Sequence, residues 1–337
     1  MIDEPDGKAT GMTRYRRQWL IVSVIVIGLM SGGCQGCARP KVNTALVKKG
    51  MTVAEAETIL GRPFSITDMV PPEAFVLSWE KNILTIRRPP QASPQIPGGA
   101  IRVHYIEAYC RPGSTDRDWS QTTIGHKTKI VGGKQGSSHL LLQCTLKDGV
   151  VVDHDLRGLP SAVEFQLTVH NPTSRESSVQ WAQPCVRVDR FTGKTQQTYL
   201  EKCFIFVDGK PTRLPTSPWA IQARYVPGQV WAHRNVDRDD INPRPLSRIV
   251  PSNGLIGCFS ADEKTILATA WEPYQELFQG VVTCIHSDFR IGGLKPNETK
   301  KIRGKLYVTD TGIAALLRRY RRDFPEHVAG PEDESRH

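Results

Sequence analysis

From residue 101 onward, apolar and polar residues change places at every second position, run after run. This period of two constrains the fold more than any other feature of the chain. In one run Val163, Phe165, Leu167 and Val169 share a side, and Glu164, Gln166, Thr168 and His170 take the other. Leu140, Leu142, Cys144 and Leu146 form a second such face; Asp148-Gly149 then offers a tight turn and "VVVDHDL" completes a hairpin. "VQWAQPCVRV", "CFIFVDG", "GLIGCFS", "TILATAW", "GVVTCIHSDF" and "KIRGKLYV" continue the series, punctuated by Gly, Pro, Asn and Asp. With no amphipathic helices between these runs, the pattern argues for a sandwich or a barrel. The pattern predicts a mainly β fold, a large antiparallel β-sandwich over residues 101–325. One helix is expected to close that region, capped by Asp310 and docked through Ile313, Leu316, Leu317, Tyr320 and Phe324. Residues 326–337 read as a polar, flexible tail.

The N-terminus has a different character. Arg14, Arg16 and Arg17 precede an apolar stretch from Trp19 to Met30, then small residues lead to Cys34. This is the anatomy of an export signal, and the apolar run is short for a membrane-spanning helix, which needs about 20 residues. Gly32-Gly33-Cys34 resembles a bacterial lipoprotein box, with Ser31 where Leu is usual. The resemblance implies lipidation at Cys34, with residues 1–37 as signal and anchor, an exported cell-envelope location, and the membrane as a partner. The formal net charge is +10, but part of it sits in arginines near the two ends. The middle of the chain shows no basic run with interleaved aromatics, so no nucleic-acid partner is expected.

Residues 43–87 read as a small helical unit. Thr52 and Glu55 make a capping box, Ala56, Ile59 and Leu60 share a helical face, and Gly61 and Pro63 end the helix. Gly50-Met51-Thr52, this helix, Leu60-Gly61-Arg62-Pro63 and Trp79 on the next strand resemble the BamE (SmpA/OmlA) lipoproteins over about residues 45–85. "RPPQASPQIPGG" at 88–99 reads as a linker or long loop.

Within the β region, "LTVHNPTSRESSVQWAQPC" and the later "LKPNETKKIRGKLYV" resemble the galactose mutarotase-like supersandwich over about residues 101–310. The resemblance implies carbohydrate as a ligand. It also implies a catalytic His on the strand after the Asn turn, and the corresponding position here is Gln183. Gln cannot act as a general acid, so the usual mutarotase chemistry has no donor at that position. Six cysteines beyond the N-terminal pair (110, 144, 185, 203, 258 and 284) could pair in an exported protein or stay as buried thiols.

The stretch from Trp271 to Thr299 is rich in chemistry. His286, Asp288 and Arg290 alternate along one strand and share a face, Trp271 offers a stacking surface, and Glu272 could serve as a base. The expected ligand face comprises Trp181, Gln183, His233, Trp271, Asp288 and Arg290, with Glu272 and His286 carrying any catalysis. A second carboxylate is expected from Asp237, Asp239 or Asp240. No metal site and no cofactor is expected. Three readings stay open: an envelope lipoprotein that binds carbohydrate or another envelope ligand, a carbohydrate epimerase or lyase, and a scaffold for envelope protein partners.

Overall fold

A computed structural model of the chain describes residues 73–215, 223–226, 228–280 and 282–328. The chain divides into two compact units, Met1–Val70 and Pro71–His337, and all described residues belong to the second. The export signal, Cys34, the capping-box helix and the residues after 328 lie outside the described residues.

The second unit is a sandwich of two large antiparallel sheets, as the period-two pattern predicts. In the first sheet the spatial order is β1 (Val76–Glu80), β2 (Ile83–Arg87), β3 (Ile101–Cys110), β9 (Trp181–Arg187), β16 (Cys284–Arg290), β15 (Tyr274–Gln279) and β12 (Gln229–Ala232), with a short β4 (Thr123–Ile124) on β3. In the second sheet the order is β11 (Lys210–Arg213), β10 (Cys203–Val207), β13 (Ile256–Phe259), β14 (Ile266–Glu272), β17 (Thr299–Thr309), β8 (Ala162–His170), β7 (Val151–Gly158), β6 (His139–Leu146) and β5 (His126–Gly133).

Alternation decides what each face meets. Along β14, Leu267 and Trp271 point into the space between the sheets, while Ile266, Ala268 and Ala270 point outward. The outward row, with Phe204, Phe206 and Tyr307, is covered by α1 (Gly312–Asp323) through Leu316, Tyr320 and Phe324. The apolar stripe read from the sequence is thus the docking face of this helix. Its N-cap is Thr311 rather than Asp310, since the helix begins at Gly312, whose φ of +80° suits glycine. On the first sheet, Ala182, Val186, Leu277, Ile285 and Phe289 face inward and complete the main core.

Two boundaries differ from expectation. The hairpin of β1 and β2, assigned from the sequence to the small unit, pairs through β2 with β3 and is part of the sandwich. Phe75 and Leu77 are buried in the main core, and the Phe75 and Leu77 N–H groups donate across to Leu159 O and Ser137 O at 3.1 and 2.7 Å. The proline-rich segment at 88–99 is also anchored, because Ile96 is buried in the same core. In both places a few large apolar side chains outweigh local turn chemistry, since each removes its surface from water only by joining the sandwich.

Candidate ligand site

The outer face of the first sheet is where polar residues converge. On β9 the outward side chains are Trp181, Gln183 and Cys185; on β16 they are Cys284, His286, Asp288 and Arg290. An antiparallel sheet with one packed face leaves the other for water. Here the segment between β12 and β13 folds back over it, and His286 and Asp288 become 1% and 0% exposed.

Two strand irregularities bring in carboxylates that strict alternation would misplace. Between His104 and Ala108 the β3–β9 register shifts, so Tyr105 and Ile106 both enter the core and Glu107 turns outward. A second shift between Tyr274 and Glu276, on β15 against β16, lets Gln275 and Glu276 both engage the covering loop. The result is a continuous chain of hydrogen bonds. Gln183 Nε2 donates to Glu107 Oε2 at 3.2 Å, Asn242 Nδ2 donates to Gln183 Oε1 at 3.3 Å, and the Asn242 N–H donates to both Glu276 oxygens at 3.2 and 3.1 Å. In front of this chain lies a cavity of about 390 Å³, whose walls include Glu107, Gln183, Asn242, His286, Trp119 and Tyr225.

The electrostatics divide the carboxyls. Burial raises the Asp288 carboxyl to about 6, against the counteracting pull of His286. Burial and then the facing Asp288 hold Glu276 well above the usual carboxylate range. Burial also works to raise Glu107, but His104 and His286 prevail and lower it. The two ends of the hydrogen-bonded chain are therefore pushed apart in proton affinity, Glu107 on the cavity wall downward and the buried Glu276 upward.

The structure places the expected site residues as follows. Gln183 and His286 line the cavity. Asp288 sits behind His286, its Oδ1 3.5 Å from Nδ1, and neither carboxylate oxygen has a hydrogen-bond partner among the described residues. Trp181 is fully buried on the same sheet face beneath Trp119, with ring centroids 6.3 Å apart. Arg290 is committed elsewhere: it donates to Gln275 Oε1 at 2.6 Å and lies 3.4 Å from Asp240 Oδ2, so it is not free to fork onto a ligand carboxylate. His233 lies edge-on against Tyr274, outside the cavity wall.

Trp271 and Glu272 are corrections. Trp271 is no platform; it fills the core between the sheets, 4.7 Å from Phe289 and 5.1 Å from Phe165 by ring centroids, with Gly304 leaving room for its indole. Both its neighbours along the strand point away from the core, so alternation sends Trp271 inward. Glu272 leaves the cavity to Glu107: its Oε2 lies 2.5 Å from His327 Nε2, beside the terminal helix. Of the loop carboxylates, Asp240 pairs with Arg290, and it is Asn242 that the loop contributes to the cavity. Among the described residues, Cys110, Cys144, Cys185, Cys203, Cys258 and Cys284 are all free, buried thiols.

Cavity-lining residues missed from the sequence include Glu107, Asn242, Trp119 and Tyr225. The first was hidden by a bulge; Asn242 and Tyr225 lie outside any strand or helix and Trp119 opens a four-residue helical turn, Trp119–Thr122, so none has a periodicity to read.

No protein-family profile matches the chain, and no curated protein matches it. Solved structures similar to it include a galactose mutarotase-like protein from Lactobacillus casei ATCC 334, at 10% identity, covering 70% of this chain and 100% of that one, with a TM-score of 0.39. Another galactose mutarotase-like protein, from Clostridium acetobutylicum, overlaps at 13% identity, 68% and 87% coverage, and a TM-score of 0.34. An alpha-N-acetylgalactosaminidase from Bifidobacterium bifidum overlaps at 10% identity over 75% of this chain and 38% of its own length, with a TM-score of 0.43.

Proposed function

We propose that the sandwich binds a carbohydrate in the cavity on the outer face of its first sheet. The observation that carries this reading is the chain Glu107–Gln183–Asn242, set in the cavity wall with Trp119 and Tyr225 and anchored where the Asn242 N–H donates to the buried Glu276. Sugars offer paired hydroxyls that both donate and accept, and amide and carboxylate side chains match that pattern. Aromatic rings supply the apolar contact that a sugar face requires. We further propose that the chain is exported and held at the cell envelope through a lipid on Cys34, a reading supported by the arginine-led apolar segment and the Gly-Gly-Cys sequence.

The test is calorimetric titration of the protein with a panel of monosaccharides and envelope glycans. At least one is expected to bind, and Gln183→Ala or Asn242→Ala is expected to weaken it roughly tenfold, the worth of about one hydrogen bond to a polar group. Absence of binding across the panel, with co-purifying envelope proteins instead, would favour the scaffold reading and end this one. Mass spectrometry of the mature N-terminus checks the anchor: an acylated Cys34 is expected, and an unmodified cysteine defeats it.

An enzymatic version has one specific support. Glu107, lowered on the cavity wall, and Glu276, raised at the buried end of the same hydrogen-bonded chain, differ in proton affinity in the sense that acid–base chemistry uses. It predicts turnover on a bound sugar that Glu107→Gln abolishes while binding persists. Binding without turnover in the unaltered protein leaves a binding module.

A further inference from the structure

We propose that Cys185, Cys284 and His286 form a metal site for a borderline-soft divalent cation, zinc foremost, with its fourth coordination position open to the cavity. This inference does not rest on the carbohydrate reading.

The geometry starts from strand pairing. Ile285 faces Val186 and Phe289 faces Ala182, so His286 falls opposite Cys185, and Cys284 lies one step along the same face. The three ligand atoms lie within 4.8 Å of one another, and Cys284 Sγ is 3.2 Å from His286 Nε2. Tetrahedral zinc, with metal–sulfur bonds of about 2.3 Å and metal–nitrogen bonds of about 2.0–2.1 Å, sets its donors about 3.5–4 Å apart. The cluster is therefore close to the spacing an ion would impose.

Two independent features point the same way. Asp288 Oδ1 stands 3.5 Å from His286 Nδ1, while Cys284 Sγ meets the ring at Nε2, and His286 Nδ1 and both Asp288 oxygens are buried with no other partner among the described residues. A carboxylate behind a histidine is the arrangement that fixes the ring and strengthens its other nitrogen as a ligand. In front, Gly280 keeps the approach open, because a side chain there would collide with Cys284 Sγ and sit 3.4 Å from His286 Nε2. Cys284 and His286 both line the cavity, and the Glu107 carboxylate lies against Cys185. Buried thiols elsewhere in the sandwich pack as small apolar groups. Among the described residues, this pair alone meets a histidine that has a carboxylate behind it and a cavity before it. Thiolate and imidazole together select zinc over calcium or magnesium, and binding would release the two thiol protons.

The experiment uses the full chain, kept reduced, stripped with chelator and titrated with Zn²⁺ and then Co²⁺. One ion per chain is expected, with the thiolate-to-cobalt charge-transfer band and the intense visible bands of tetrahedral cobalt. Cys185→Ser and Cys284→Ser should each lose both, Asp288→Asn should weaken binding roughly 10–100-fold, and Cys203→Ser should bind as the unaltered protein does. Should a variant fail to fold by circular dichroism, the unaltered protein answers instead: zinc is expected to slow iodoacetamide alkylation of Cys284. Three results would overturn the proposal: no metal uptake by the reduced protein, an unchanged cobalt spectrum in Cys284→Ser, or a Cys284 alkylation rate indifferent to zinc. A Cys185–Cys284 disulfide in protein purified without reductant would overturn it as well.

Discussion

His154 stands between the two sheets, with its ring nitrogens 2.9 Å from the Tyr105 hydroxyl and 3.4 Å from that of Tyr109. Burial holds its pKa down to about 3, against 6.5 for the free side chain. A depressed histidine stays neutral in the fold while the unfolded chain takes up a proton. Its contribution is thus complete above pH 6.5 and is lost as pH falls toward about 3. The loss is on the order of 5 kcal/mol. His154→Gln is expected to be less stable at neutral pH but to show a flatter decline with acid, which urea unfolding at stepped pH would measure. Trp271 also belongs to this scale. Its sequence neighbourhood of Glu272, Glu276 and His286 suggests a ligand platform, yet its own position in the alternation points it inward to Phe165 and Phe289. Trp271→Ala is expected to cost about 3–5 kcal/mol in unfolding experiments. A variant that loses sugar affinity without that loss of stability would contradict its place in the core. Gln183, read from the sequence as standing at the family's catalytic position, does line the cavity, because its register on β9 follows from simple alternation.

Among the elements, the β15–β16 hairpin does most to shape the site. Its bend is gathered by the Tyr199 hydroxyl, which lies 3.3, 3.4 and 3.1 Å from the carbonyls of Gly280, Val282 and Cys284 and accepts from Gln279 Nε2 at 2.6 Å. Tyr199→Phe keeps the ring and removes the hydroxyl, leaving buried groups of the bend without it. It is expected to cost about 1–3 kcal/mol and to loosen whatever binds beside Cys284, both readable from one denaturation series with and without ligand. Strands with clean alternation, such as β6 and β8, were legible in the sequence. The bulges in β3 and β15 were not, since one extra residue inverts every later side chain and leaves no mark on composition. The terminal helix was legible because its stripe of Leu316, Tyr320 and Phe324 has one consistent use. Leu316→Ala, which removes a fully buried side chain, should cost about 2–5 kcal/mol by the same measurement.

At the scale of the whole molecule, the β1–β2 hairpin and the segment between β12 and β13 make the difference between a plain sandwich and one with a closed polar layer. The hairpin extends the first sheet and reaches across to the second through Leu77 and Ser137. A chain begun at residue 71 keeps the whole hairpin. One begun at residue 88 loses Phe75, Leu77, Leu84 and Ile86 from the core and should melt far lower or stay insoluble. Calorimetry of the two chains decides it. Periodicity alone established the mainly β class, the two-sheet packing and the docked helix, because each strand carries in its own order of residues which side must leave water. It also placed His286 and Asp288 on the faces they occupy, while Gln183 was singled out only through the family resemblance. Which of those faces would be covered, and by what, depended on segments far apart in the chain. Glu107 from one bulge, Asn242 from one loop, and Cys185 beside Cys284 and His286 meet only once both sheets have formed, and no local pattern records so distant an encounter.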